Sequence, residues 1–252
     1  MWRCVVTMLI VVASSSGQSA RPAPSFDAGE IRVNKSGEGK SSGNLSNGRL
    51  TIRNLALRFL LAEAWTMNPD DIYGPAWLDD VHVDVIAKAA SPATPDAELR
   101  RMLQKLLKDR MKLVEHTEQR TKTVWALTVW KGPAKMMTSE MPAKPEDADC
   151  SRSATENSRV RLVCRHESMA AFAHELPQYA GAYVTSTVVD RTELVGAWDF
   201  SVEWTPSSQI ESSGGLTLFD ALQAQLGLQL RNEKLAVPVL VIDSMDRTPS
   251  DN

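Results

Sequence analysis

One half of this chain can be laid on the other at a single offset of 115 residues, with no gap from Ala56 to Glu118. Ala56 then falls on Ala171, Leu61 on Leu176, Asp84 on Asp199, Leu103 on Leu218, Leu107 on Leu222, Leu113 on Leu228 and Glu118 on Glu233. The alternating runs agree in phase too, with Val83, Val85, Ala87 and Ala89 opposite Trp198, Phe200, Val202 and Trp204. Identity is sparse, and chance agreement of two α/β segments is the competing reading. A gapless match of this length favours internal duplication. The expected fold is α+β: two similar small sheet-plus-helix units packed together.

Within the first unit, Asn54 is placed to cap a helix from Leu55 to about Met67, stopped by Asn68-Pro69. Val81 to Ala89 alternates apolar with polar residues, as a half-buried strand does. Thr94-Pro95-Asp96 opens a second helix with cap, first-turn proline and acid in order. Its basic residues Lys105, Lys108, Arg110 and Lys112 gather toward the C-terminal end, where the helix dipole favours cations. Val114 to Trp130 reads as two strands about a polar turn near Gln119 to Lys122. In the second unit, Ser168 to Leu176 is a short helix ended by Pro177, and Trp198 to Trp204 an alternating strand. Thr217 with Asp220 resembles a capping box, Gly227 ends that helix, and Gln229 to Lys234 with Val237 to Asp243 forms a terminal hairpin. Asn34 to Gly48 and Thr205 to Gly215 are loops by composition. The domains are a signal peptide over 1–20, a first unit over 26–131, an irregular linker over 132–158 and a second unit over 159–247. The linker carries an acidic cluster of Glu146, Asp147 and Asp149.

Met1-Trp2-Arg3, the apolar run Cys4 to Ala13 and the small polar residues Ser14 to Ala20 follow the order of a secretory signal peptide. The run is too short for a resident membrane helix, which needs about 20 residues. No other stretch of the mature chain reads as a span, so the expected location is periplasmic or secreted. Cys150 and Cys164 then remain as an even pair in an exported chain, the setting in which disulfides persist. A net charge of −3 excludes a dedicated nucleic-acid binder, which carries a basic excess.

Reactive constellations are absent. Gly39-Lys40-Ser41 lacks the earlier glycine of a phosphate-binding loop, since that position is Asn34. No two of His82, His116, His166 and His174 have the spacing of a helical metal site, and His174-Glu175 lacks the second histidine of a zinc-peptidase helix. There is no nucleophile elbow, so no catalytic, cofactor or metal residue is assigned. Asp84 and Asp199 stand at matched positions on polar strand faces, where a solvated role is the ordinary one. Trp65, Trp198 and Trp204 fall on apolar faces; Trp77, in a turn, is the best exposed candidate, and even there packing over the sheet edge is the more ordinary role than ligand binding.

Phe26-Asp27-Ala28, Ile31 to Ser36, Gly48 to Thr51, Gly74 to Leu78, Leu103 to Leu113, Val188 to Thr192, Trp198-Asp199-Phe200 with Glu203 to Pro206, Leu218 to Leu228 and Val239 to Asp243 occur in one order. This succession resembles the soil-associated family of exported acidobacterial proteins, a domain of unknown function, over about residues 26–247. Two departures are local: Trp198 where the family has Tyr, and Thr192-Glu193-Leu194-Val195-Gly196 where it has a Thr-Gly-Leu-x-Gly turn. The resemblance implies export and no established activity. Fusion of some relatives to a membrane-bound sensor peptidase of the antibiotic-sensing type implies extracytoplasmic sensing or binding. The pattern from Leu218 to Asp243 also looks like the short N-terminal domains of secretins and outer-membrane transporters, an analogy of fold alone. The favoured function is a non-catalytic binding, sensing or interaction module of the envelope, with an envelope protein or ligand as partner. The alternative is a secreted hydrolase with Asp84, Asp199 or Glu203 between the two units; a purely structural envelope protein comes third.

Overall fold

Alternation and helical spacing in the chain resolve into three four-stranded sheets in a computed structural model that describes residues 24–36, 39–140 and 148–250. The signal segment 1–20, and Glu146 and Asp147 of the acidic cluster, lie outside the described residues. The first half runs β1 (Ala28–Val33), β2 (Ser42–Ser46), β3 (Arg49–Ala56), α1 (Leu57–Trp65), β4 (Ile72–Tyr73), β5 (His82–Lys88), α2 (Asp96–Met111) and β6 (Val114–Val129). The second runs β7 (Met137–Thr138), β8 (Asp149–Ala154), β9 (Val160–Glu167), α3 (Met169–Ala180), β10 (Val188–Asp190), β11 (Trp198–Trp204), α4 (Ile210–Ser213), α5 (Leu218–Ala221) and β12 (Leu228–Ser244). Between α5 and β12 the helix widens into a π turn over Leu222–Leu226, closed by Gly227 at φ 69°.

The chain is α+β, and its halves share one topology. The first sheet has the order β1-β5-β3-β2 and its counterpart β7-β11-β9-β8. The remaining sheet, β10-β6-β12-β4, belongs to neither half. Its centre is the long antiparallel pair β6 and β12, in which Thr121 faces Ala236, its own counterpart 115 positions on. Each half lends its short strand to the other: β4 pairs with β12 through Ile72 and Leu240, and β10 pairs with β6 through Val188 and Trp125. Leu57, Leu60 and Leu61 of α1, Val83 and Val85 of β5, and Leu103 and Leu107 of α2 form the first core, which Leu240 and Ile242 of β12 complete. Phe172 and Leu176 of α3, Phe200, Val202 and Trp204 of β11, and Leu218 and Leu222 form the second, and it includes Leu127 of β6.

Several sequence expectations are corrected. The 115-residue register holds from β5 onward, but not before it. Leu57, Leu60, Leu61 and Ala64 correspond in burial to Met169, Phe172, Ala173 and Leu176, an offset of 112. The difference arises because α3 has 12 residues and α1 has 9. Helix α3 runs through Pro177 rather than ending before it; the proline's missing N–H costs one bond inside an otherwise well-buried helix. Helix α1 starts at Leu57, and Asn54 is a left-handed bulge residue at φ 51° instead of a cap. Pro95, not Thr94, occupies the cap position of α2, and the Thr94 hydroxyl donates to Ser91 O at 2.7 Å. The two expected hairpins are the single strands β6 and β12, each satisfying the other's backbone along its polar middle. That removes the hairpin on which the likeness to secretin domains rested. The segment from Asn34 to Gly48 holds β2, joined to β3 through Asn47 (φ 52°) and Gly48 (φ 68°), the Asn-Gly pair that tight hairpin turns select. The segment 132–158 is likewise not all linker, since it supplies β7 and β8.

A groove between the halves as candidate functional site

The carboxylates singled out in the sequence have structural partners. Asp84 Oδ1 accepts the Asn34 side-chain amide at 2.9 Å and the Asn54 backbone N–H at 2.8 Å. These bonds, the amide's first, hold its carboxyl below the usual carboxylate range. Asp199 repeats the device, accepting the backbone N–H of His166, also left-handed at φ 52°, at 2.8 Å. Each aspartate therefore pins a bulge at the end of the strand leading into a helix. Asp84 lies in the first sheet and Asp199 in its counterpart, so no paired-carboxylate site forms between them. Glu203 is paired with Arg161, and its backbone N–H and C=O are both bonded by Gln225 from the π turn (3.0 and 2.7 Å).

The tryptophans resolve as packing residues. Trp204 is fully buried, and Trp65 and Trp198 pack against their cores. Trp77, the best candidate for exposure, packs on the first core beneath the Arg247 guanidinium, 5.2 Å from the ring centroid. Ser41, from the phosphate-loop look-alike, donates its hydroxyl to Asn54 O at 2.6 Å. His116 is raised by its hydrogen bond to Asp243 at 2.9 Å and is exposed.

What both halves build together is a groove of about 560 Å³. One wall is α1 and the turn after it, with Phe59, Glu63, Met67 and Asn68; the other is α3, with His174, Glu175 and Gln178. The apolar stripe of each helix goes inward to its own core, so the outward residues face each other across the gap. Phe59 is the exception, an aromatic side chain 51% exposed. Arg100 reaches over from α2 to Glu63 (Nε–Oε1 3.0 Å), and Gln104 donates to Ala64 O at 2.8 Å, fixing α1 on α2. Glu175 accepts the Tyr179 hydroxyl at 2.5 Å. Burial first, and that bond second, push the phenol up from its ordinary value. Next to the groove the halves are tied across their pseudo-symmetry: buried Asp71 accepts from Lys122 Nζ at 2.5 Å and from the Thr187 hydroxyl at 2.6 Å.

Behind Glu175 lies the cysteine pair. Cys150 and Cys164 face each other on β8 and β9 at disulfide distance, Sγ–Sγ 2.03 Å. Glu167, only 3% exposed, places Oε2 at 3.3 Å from Cys150 Sγ and accepts the Ser168 N–H on Oε1 at 3.1 Å. Burial, and then the charge of Glu175, push its carboxyl up to about 7. Of these residues the sequence marked the cysteines and noted His174-Glu175. Glu63, Arg100 and Glu167 gave no signal, because nothing local distinguishes a groove or core glutamate from a surface one. Among the described residues, no cluster of three or more His, Cys, Asp or Glu side chains is placed to hold a metal ion. No helix of the described residues is long and apolar enough to cross a membrane.

Fold and site thus define an α+β protein of two topologically matched halves that exchange a strand and enclose a shared groove. A family model described as protein of unknown function (DUF3738) matches residues 58–245, from the first turn of α1 to just past β12, and the chain belongs to that family. No curated protein and no solved structure matches it.

Proposed function

We propose that the protein is an exported, non-catalytic module of the cell envelope that binds a small polar ligand in the groove between α1 and α3. The observation that carries this is the groove's construction: it exists only when both halves are folded together, and polar groups from each converge on it. The exposed ring of Phe59 supplies an apolar contact, while Glu63, Glu175 and Gln178 supply acceptors, a set suited to a ligand rich in amino or hydroxyl groups. The three carboxylates that a hydrolase would use have separate structural tasks, which supports binding over catalysis. The signal-like N-terminus and the cysteine pair support a periplasmic or secreted location, in keeping with the soil-associated exported proteins that the sequence resembles.

A thermal-shift screen of oxidised residues 21–252 with cell-wall fragments, polysaccharides, divalent metals and β-lactams tests this reading. A ligand at 100 times its dissociation constant adds about 2.7 kcal/mol, a rise of several degrees in a protein of this size. Phe59→Ala and His174→Ala should each abolish that rise without lowering the unliganded midpoint by more than about a degree, since both side chains are exposed. A flat panel, or a shift that both variants retain, overturns the reading.

A further inference from the structure

Glu167 is an acid where packing alone would call for an amide or an apolar residue. It is 3% exposed, no cation among the described residues is bonded to it, and its neighbours from other elements are Glu175 and Tyr179 on α3, Cys150 on β8 and Trp198 opposite on β11, with the charge of Asp149 on β8 acting on Tyr179. A disulfide sulfur bears no hydrogen. The 3.3 Å contact between Oε2 and Cys150 Sγ is therefore a hydrogen bond only when the carboxyl carries the proton and donates it. The Ser168 N–H on the other oxygen fixes the carboxyl in that orientation. Cys150 lies on β8, the outermost strand of its sheet, and is only partly buried; Cys164 beneath it is 1% exposed. The accessible sulfur and the buried acid are thus the same contact.

We propose that Cys150 and Cys164 form a proton-coupled redox site, reduced by a dithiol, in which Glu167 is the proton donor to Cys150 Sγ. One thiolate of the dithiol attacks Cys150 Sγ, the bond between the cysteines breaks, and Cys164 leaves as a thiolate that takes a proton from water. The second thiolate of the dithiol then attacks its own partner sulfur in the mixed disulfide. Cys150 leaves as a thiolate and receives the proton of Glu167, which is reprotonated from solvent. Two electrons pass from the dithiol to the protein; the two protons lost by the dithiol balance the two gained by the cysteines. In reverse, the Glu167 carboxylate accepts the Cys150 thiol proton. Reduction removes the covalent tie between β8 and β9 and leaves the edge strand β8 held by its ladder from Asp149 to Ala154.

The test is the rate at which dithiothreitol reduces the folded, full-length oxidised protein between pH 5.5 and 8.5, read by trapping the thiols and weighing the product. A charged Glu167 beside Cys150 repels the incoming thiolate in the first step and has no proton to give in the second. The wild-type rate constant, divided by the reductant's thiolate fraction, should therefore fall roughly tenfold as pH rises through the titration of Glu167. Glu167→Gln should be flat across the range. Glu175→Gln leaves the sulfur contact alone but removes a negative charge from beside Glu167, so its fall should move to lower pH. Were Glu167→Gln not to fold, that displacement alone would decide. Coincident profiles for wild type and Glu167→Gln, an unmoved profile for Glu175→Gln, or a rate that ignores reductant concentration because the chain must first unfold, would each overturn the proposal.

Discussion

The two halves reach one topology by different means. In the first half a six-residue β1 borders the sheet, α2 is an unbroken helix of 16 residues, and the core is aliphatic, built on Leu57, Leu60, Leu61, Leu103 and Leu107. In the second half the strand equivalent to β1 is the two-residue β7, and the helix equivalent to α2 is broken into α4, α5 and the π turn. Aromatic packing takes over there. Phe172 and Phe200 meet edge to face at 4.9 Å, Trp125 and Tyr183 both pack on Phe219, and Trp204 is fully buried. Large rings bury area that short, broken elements cannot reach with leucine. The cysteine pair joins β8 to β9 in this second half. The lesson is that strand order tolerates an exchange of helix length for ring volume, provided the central β6–β12 pair is kept.

Substitution at matched positions tests this most directly. Phe172→Ala should cost about 4 kcal/mol and its counterpart Leu60→Ala about 3 kcal/mol, both residues being fully buried. Because each core is closed by the shared sheet, urea unfolding of either variant should remain a single transition. Two separated transitions would show that the halves fold independently and would break the comparison. A smaller effect is expected from Glu167→Gln, and its sign depends on pH. With a folded-state value near 7 against an ordinary 4.5, the folded protein binds the proton more tightly than the unfolded chain. Wild-type stability should therefore fall as pH rises from about 4.5 to 7 and level off above, by up to about 3 kcal/mol in all. Glu167→Gln should remove that slope and exceed the wild type at pH 8 in thermal unfolding, a behaviour without counterpart in the first half. The smallest test concerns the helix ends. Lys112 (φ 51°) and Gly227 (φ 69°) are left-handed at matched positions. Lys112→Gly should stabilise by about 0.5–1 kcal/mol, whereas Gly227→Ala should destabilise by at least as much. Effects of the same sign in chemical denaturation would mean the two caps are not equivalent in strain.

Much of the fold could be read from local pattern. The alternation from Val83 to Ala89 and the helical spacing from Leu99 to Leu107 match buried positions. Thr217 accepts the Asp220 N–H at 3.1 Å at the start of α5, as its position suggested. The register of the repeat was misread at its start because helix length is set by what the far end packs against, which no local signal reports. The polar run from Gln119 to Lys122 looked like a turn since its strand partner, Leu235 to Pro238, lies over a hundred residues away. The β2–β3 turn was legible in Asn47-Gly48, but the surrounding Gly and Ser composition concealed it. The cysteine pair, which lies at disulfide distance, was marked in the sequence by its even number once a signal peptide was expected. The groove did not, because α1 and α3 become neighbours only through the strand exchange.

That exchange also sets the order in which the molecule can be made. Through the synthesis of its first half, β6 is a sixteen-residue strand whose whole partner, β12, is still to come, and β4 has no strand to join. The final folding step must close contacts spanning more than a hundred residues, which makes it slow relative to the local helices and hairpins. A chain cut between its halves should behave as two obligate partners rather than two domains, each soluble only once the other supplies the missing edge.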